Sequence, residues 1–418
     1  MSSPNHPRLG SAFTNLWIAT LASNLGDGIG RVAIPLLAAR LTDDPLLIAA
    51  LGALAMLPWL LFAIPAGIVI DSADRRRVLA SAQAVRVVVA VILLVLVATS
   101  ALTIWWLLAV VFVYGIFETL YDGASRAIPA SIVPTAELPR ANGRIEAGEQ
   151  VMQSFVSGPL TSALFAVSVL IPLGLNAAAF AIAGVLALLL PAAASGRSAP
   201  AAGDDDPKVP WYRQFGDGWR FLKGNRMLVT LWLTTTVVGI FVQLALASYV
   251  LFVLGPLGVP EAWFGVFMLS GAVGAIIGSL STASLKRRFN AGPVMAMSTL
   301  VSGVAILAMG LWPKVVVAAI ANALLSASIV TWNVLVMSLR QAIIPVALFG
   351  RVQGTWRTLL WGSMPLGSVL GGLVARVDLA LPFLVGGGAT TLVGVIFFDF
   401  YRQLPNAEDV AVDVGAAV

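Results

Sequence analysis

Cysteine is absent from the 418 residues, and histidine occurs once, as His6. These absences exclude disulfides, thiolate nucleophiles, cysteine zinc sites and iron–sulfur clusters, and leave no histidine within the spans for a metal site or a triad. The phosphate loop GxxxxGK[ST] does not occur, so ATP hydrolysis by that route is excluded. Charge is also scarce. Only 11% of residues are charged and 59% are hydrophobic, where soluble domains carry about 25% and 45–50%. Water cannot cover that much apolar surface, so lipid must. Disordered chains are polar and charge-rich, which removes that class too. The net charge of +5 is therefore a matter of topology, and no nucleic-acid partner is expected.

A spanning helix takes about 20 apolar residues plus a loop, so about twelve units fill the chain. The expected spans are 13–39, 46–70, 78–99, 103–121, 145–168, 172–191, 228–254, 263–284, 292–311, 315–338, 353–375 and 380–400. The first apolar stretch is too long for a signal-peptide core and is read as a retained span. Between the sixth and seventh spans lies a polar gap holding the run Asp204-Asp205-Asp206. The expected organisation is a six-helix bundle over 1–191, a cytoplasmic linker over 192–226, a second six-helix bundle over 227–402 and a tail over 403–418. Of the Lys and Arg residues, only Arg40, Lys314 and Arg376 fall at outer ends and Arg31 lies inside the first span; the rest fall on the other side. Positive charge stays in the cytoplasm on insertion, so both termini are expected there. Trp211, Phe215, Trp219 and Leu222 recur at helical spacing opposite Arg213, Asp217, Arg220 and Lys223. That pattern reads as a helix at the inner membrane surface or as a continuation of the seventh span.

Two features repeat at one offset. Gly67 precedes Arg75-Arg76-Arg77 as Gly278 precedes Lys286-Arg287-Arg288, and Pro134 precedes Arg140 as Pro345 precedes Arg351, each pair 211 residues apart. Agreement on one offset argues for a duplicated six-helix unit, a known transporter plan.

The segment Gly67-Ile-Val-Ile-Asp71-Ser-Ala-Asp-Arg75-Arg76-Arg77 resembles the loop pattern G-x-x-x-D-R-x-G-R-R of the major facilitator superfamily. Ser72 and Asp74 depart from it, and the second copy carries Thr282 where the acid would stand. Asn24-Leu-Gly-Asp27, Ala141-Asn142, Gly350-Arg351-Val352 and Pro365-Leu-Gly367 are similar to the branch containing enterobactin and macrolide exporters. Gly158-Pro159 looks like the antiporter motif of span 5 in such exporters, with Ser154 and Ser162 in place of small glycines. The resemblance implies an all-α membrane protein of twelve helices in two six-helix pseudo-repeats. It also implies a cytoplasmic latch formed by Gly67, Asp71, Arg75 and Arg76. In that latch the glycine permits close helix approach, Asp71 accepts from a helix N-terminus and the arginines reach acids of the other half.

Asp27 and Arg31 lie four apart on one face of the first span. They read as a proton- or substrate-handling pair or as a structural ion pair. Glu118 lies deep in span 4 beside Tyr114 and Phe117 and is the preferred proton carrier; the alternative is a structural network with Arg126 or Arg144. Glu149 stands in the first turns of span 5 and joins Asp27, Arg31 and Glu118 as a candidate for proton coupling or the cavity wall. Asn24, Gln243, Trp332, Asn333, Arg357 and Trp361 are candidates for the substrate path. Arg357 reads equally as a partner for an acid of the first half or as a snorkelling side chain. Gly274/Gly278 and Gly367/Gly371 read as helix-packing pairs.

The expected function is proton-coupled export of small hydrophobic or amphipathic molecules across a bacterial inner membrane by alternating access. The expected driver is the proton gradient, with no bound cofactor or metal. The expected partners are a small-molecule substrate and membrane lipids, with the chain acting as a monomer. Alternatives are a lipid or lysolipid flippase or a metabolite importer of the same fold. A membrane-embedded enzyme or a non-transporting receptor stands further off.

Overall fold

A computed structural model describes residues 9–196 and 211–410. His6, Asp204–Asp206 and the end of the tail lie outside the described residues, as do the side chains of Asp71 and Trp211. No strand occurs among the described residues. The helices are α1 (Gly10–Leu41), α2 (Pro45–Ser72), α3 (Arg75–Ala98), α4 (Ile104–Ala127) and the single turn α5 (Pro129–Ile132). Next come α6 (Leu138–Gln150), a π-helical turn at Val151–Val156, α7 (Ser157–Val167) and α8 (Leu170–Leu188). The second half holds α9 (Trp211–Gly224), α10 (Arg226–Leu246), α11 (Tyr249–Leu254), α12 (Glu261–Phe289) and α13 (Ala291–Leu311). It ends with α14 (Val315–Ile343), α15 (Val346–Ala375), α16 (Leu381–Ile396) and α17 (Phe398–Arg402).

All twelve expected spans fall on helix. Among the described residues, 9 helices are long and apolar enough to cross a membrane by themselves. The other three spans fall short for local reasons. In α1 the apolar run is diluted by Asn15, Ser23, Asn24, Asp27 and Arg31. Span 5 is divided into α6 and α7 by the π turn. Pro159 has no N–H to bond the carbonyl of Phe155, and a wider turn absorbs the mismatch. Span 12 is the 16-residue α16.

The amphipathic segment is a separate helix. Asn225 breaks it from α10, with φ −113° and ψ 103°, and caps α10 by accepting from Leu228 N at 3.1 Å. The continuation reading therefore fails. The apolar side of α9 packs on protein: Leu222 is fully buried, and Trp219 meets Trp232 edge-on at 5.7 Å. Its polar side is tied to α15 by Asp217–Arg351 at 3.1 Å.

The described residues divide into two compact units, one of 9–41, 57–196 and 261–265, the other of 42–56, 211–260 and 266–410. In the first unit α8 packs on α1 and α3, α3 on α4, and α7 on α1. In the second, α16 packs on α10 and α13, α13 on α14, and α15 on α10. These are the same pairings, counted from the start of each repeat. The backbone repeats too: Pro134 has φ −56°, ψ 144° and Pro345 has φ −55°, ψ 142°. Both glycine pairs sit in close helix contacts. A Cβ at Gly274 or Gly278 would run into Ala323 or Ala327 of α14, and one at Gly367 or Gly371 into Ile240 or Leu244 of α10.

Candidate functional site

Asp27 and Arg31 do not pair with each other. Asp27 pairs with Arg86 of α3, and Arg31 reaches Glu118 at 3.5 Å. Residues four apart share a helix face, but α1 is wrapped by neighbours, and the nearer guanidinium is Arg86. The side chains of Arg86 and Asp27 are only 1% and 6% exposed. A polar node closes around them. Gln83 donates to Ser23 Oγ at 2.8 Å, and Arg86 donates to the same oxygen at 3.3 Å. The Arg86 guanidinium lies 3.9 Å over the Phe180 ring. Tyr114 Oη donates to Asn176 Oδ1 at 3.1 Å, and Asn176 donates to Gly26 O at 2.6 Å. Asn24 belongs to this side of the molecule as well. It donates to Thr20 O at 2.9 Å and accepts from Gln153. Sequence reasoning counted Arg86 among the inner basic residues and missed its role. The signal was present: an arginine eleven residues inside an apolar helix needs a buried partner.

Below this node lies a half-open cluster of charge. Glu118 pairs with Arg31, and Glu149 pairs with Arg126 at 3.7 Å. The expected alternative partners of Glu118, Arg126 and Arg144, are not the ones used. Asp122, one turn beyond Glu118, has no cation within 4 Å among the described residues. Three carboxylates thus face two arginines.

At the start of α3 the loop motif is arranged differently from the expectation. Among the described residues nothing lies within 4 Å of a Cβ placed on Gly67, so no helix approaches closely there. The Asp71 side chain lies outside the described residues. Arg75 donates to Ala127 O at 3.2 Å and Arg76 to Leu190 O at 3.1 Å, which ties α3 to the ends of α4 and α8. Arg76 also pairs with Asp74 at 2.8 Å. Both arginines are thus spent inside their own unit instead of on acids of the other half. Asp74, which replaces the motif's glycine, is the N-cap of α3 and accepts from Arg76 N at 3.0 Å. The Arg76 guanidinium holds the Asp74 carboxyl below its usual range. In span 5, Gly158 lies against Gly265 in the first turns of α12, and Ser162 Oγ accepts from Gly265 N at 2.7 Å. Pro159 stands just past the π turn.

The second unit holds a cavity of about 300 Å³. It brings together four of the expected substrate-path residues: Gln243, Trp332, Asn333 and Trp361. Met56 and Met364 add thioethers, and Ser298, Ser302 and Ser328 add hydroxyls. Among the described residues, no charged one lines it. Gln243 is oriented by donating to Ser368 Oγ at 3.0 Å, and Trp332 by edge-on contact with Tyr401 at 5.0 Å. Arg357 does not line the cavity. Its guanidinium lies 5.2 Å over the Trp361 ring, with no carboxylate within 4 Å among the described residues. Asn24 is the other expected path residue that the cavity excludes. A pocket of this size, aromatic with a few fixed polar groups, suits a small ligand. No group of three or more Asp, Glu, His or Cys able to hold a metal occurs among the described residues.

The family described as transmembrane secretion effector matches residues 2–416. Macrolide efflux protein A of Streptococcus pyogenes is 20% identical over 392 residues, covering 92% of this chain and 94% of that protein. Among solved structures, a single-site variant of the nucleoside transporter NupG superposes with a TM-score of 0.77 at 14% identity, covering 94% of this chain and 100% of that one. A bacterial homologue of the iron transporter ferroportin gives 0.72 at 17% identity, covering 94% and 98%. These likenesses share the major facilitator fold.

Proposed function

The chain belongs to the transmembrane secretion effector family of the major facilitator superfamily, and on that premise we propose that it exports small, uncharged or weakly cationic amphipathic molecules in exchange for protons. The observation that carries the cargo class is the cavity of the second unit. Its walls are indole, thioether and hydroxyl, with no ionised group. An anion or a sugar would leave its polar groups unmatched there, whereas an apolar body with a few hydrogen-bonding atoms is satisfied. The macrolide efflux relative supports the direction of transport.

Proton coupling is assigned to the first unit. In its cluster, Glu118 and Glu149 pair with Arg31 and Arg126, and Asp122 beside them has no such partner among the described residues; a carboxyl there that binds a proton removes a charge from a medium that penalises it. Glu118 and Asp122 are the carriers in this reading, while Asp27 is committed to Arg86 and serves to hold α1 on α3. Proton and substrate each favour one of two alternating states. The protein is placed in a bacterial inner membrane with both ends cytoplasmic, acting as a monomer.

The test is an efflux and susceptibility panel, including a macrolide, in a pump-deficient bacterial host. Trp332→Ala is expected to weaken cargo binding by about 0.5–1.5 kcal/mol, roughly 2- to 13-fold. Glu118→Gln and Asp122→Asn are expected to uncouple export from an imposed pH gradient in vesicles. Wild type moving no compound of the panel would defeat the export reading, and unchanged coupling in both acid variants would defeat the proton assignment.

A further inference from the structure

A second recess, of about 330 Å³, lies on the second unit. It is bounded by Leu285 and Phe289 of α12, Met297 and Val301 of α13, and Ala327 of α14. Phe289 and Met297 are 50% and 51% exposed, so the recess opens on the apolar exterior. It lies beside the basic end of α12, at Lys286, Arg287 and Arg288, which places it at the depth of the cytoplasmic leaflet. Among the described residues, no charged one lines it.

Ser298 of α13 and Ser328 of α14 line this recess and also the central cavity that holds Trp332 and Gln243. The two spaces are back to back, and the side chains shared between them are among the smallest available. Ser302 donates to Ser298 O at 2.8 Å, Thr299 to Met295 O at 3.1 Å and Thr282 to Gly278 O at 2.6 Å, as hydroxyls in such helices commonly do. Ser298 and Ser328 are only 8% and 7% exposed, and no hydrogen bond within the described residues ties up their side-chain hydroxyls, which leaves them free to face the two spaces. Two small polar side chains that line both spaces are placed to meet something that passes or lodges there.

We infer that the recess is a side entrance from the bilayer to the cavity. An uncharged amphipath dissolved among the lipid chains enters between α12, α13 and α14, its apolar body in the recess and an acceptor oxygen on the hydroxyls of Ser298 and Ser328. The fate of that molecule rests on the export reading above; the entrance itself does not.

The chain has no cysteine, so Ser298→Cys and Ser328→Cys each create a unique attachment point. Bimane on either is compared with bimane on Thr235→Cys, a residue that lines the cavity and not the recess. The labelled proteins are reconstituted in vesicles of phosphatidylcholine brominated on its acyl chains. Bimane at 298 and 328 is expected to lose at least half its emission relative to unbrominated lipid, and bimane at 235 less than a tenth. Equal, weak quenching at all three positions overturns the entrance. In unlabelled protein, Ser298→Phe and Ser328→Phe are expected to slow export of Nile red at least 5-fold; export at the wild-type rate in both overturns the entrance as well. If wild type moves no dye while 298 and 328 are quenched, the export reading fails and the entrance stands.

Discussion

Asp27 and Arg86 carry the most deeply buried charges among the described ion pairs. Their mutual attraction and the hydrogen bond that Arg86 donates to Ser23 Oγ, an oxygen also held by Gln83, offset the cost of removing both from water. Taking away one partner leaves the other uncompensated. Arg86→Leu is therefore expected to destabilise the protein by about 3–5 kcal/mol, and the double variant Asp27→Asn/Arg86→Leu by less than the single changes predict together. Thermal unfolding in detergent measures both; a single variant as stable as wild type would refute the pair's structural role. The same logic separates Asp27 from Glu118 and Asp122. A carboxylate locked in a closed pair is a poor proton carrier, which is why the proposed coupling falls on Glu118 and Asp122 and not on Asp27.

At the scale of elements, the start of α3 shows how the loop motif works in this chain. Asp74 caps the helix and pairs with Arg76, and the arginines clamp the ends of α4 and α8. Asp74→Ala is expected to cost about 0.5–2 kcal/mol through the lost cap. Because the Asp74 carboxyl is held below its usual range, its contribution is fully present above the unfolded pKa near 3.9. It is lost as pH falls through the lower folded value. Melting curves from pH 7 down to pH 3 are expected to show a shallower acid decline for Asp74→Asn, which keeps the cap without the charge; an identical decline would count against this. Other element ends are tied more lightly. Arg40 at the end of α1 pairs with Glu261 at the start of α12, and Arg376 after α15 pairs with Asp44 before α2 at 2.6 Å. Both pairs are open to solvent on one side, so screening leaves each with little effect on stability. Arg376→Ala is expected to leave the melting temperature nearly unchanged; a drop of many degrees would assign the pair a larger structural part.

At the scale of the whole molecule, one six-helix plan occurs twice with different contents. The first unit holds the Glu118, Asp122 and Glu149 carboxyls and the second a cavity whose described lining is uncharged, so the proposed function divides coupling and cargo recognition between the repeats. Fluorescent reporters fused to either end are expected to fold and emit in the cytoplasm, as the distribution of basic residues requires. Loss of emission at one end alone would mean an odd number of spans. The repeat itself was readable from Pro134 and Pro345, whose matching backbone angles bear out an offset found by counting. The break between α9 and α10 was less readable, because Asn225 fits a helix interior as well as a cap until its backbone is known.

Composition alone required a lipid-embedded helical protein: with so little charge and so much apolar surface, no other solvent would cover it. Hydropathy and a shared offset indicate the span count and the duplication, and loop charge is the basis of the expected orientation, since each is a property of order along the chain. Partner choice is different. Asp27 sits four residues from Arg31 in the chain, but the packing of α3 against its neighbours delivers Arg86 to it first. Likewise, only the meeting of α10, α13, α14 and α15 gathers Gln243, Trp332, Asn333 and Trp361 around one space while turning Arg357 aside. Electrostatic and packing energies depend on distance through space, and that distance exists only once the helices have met.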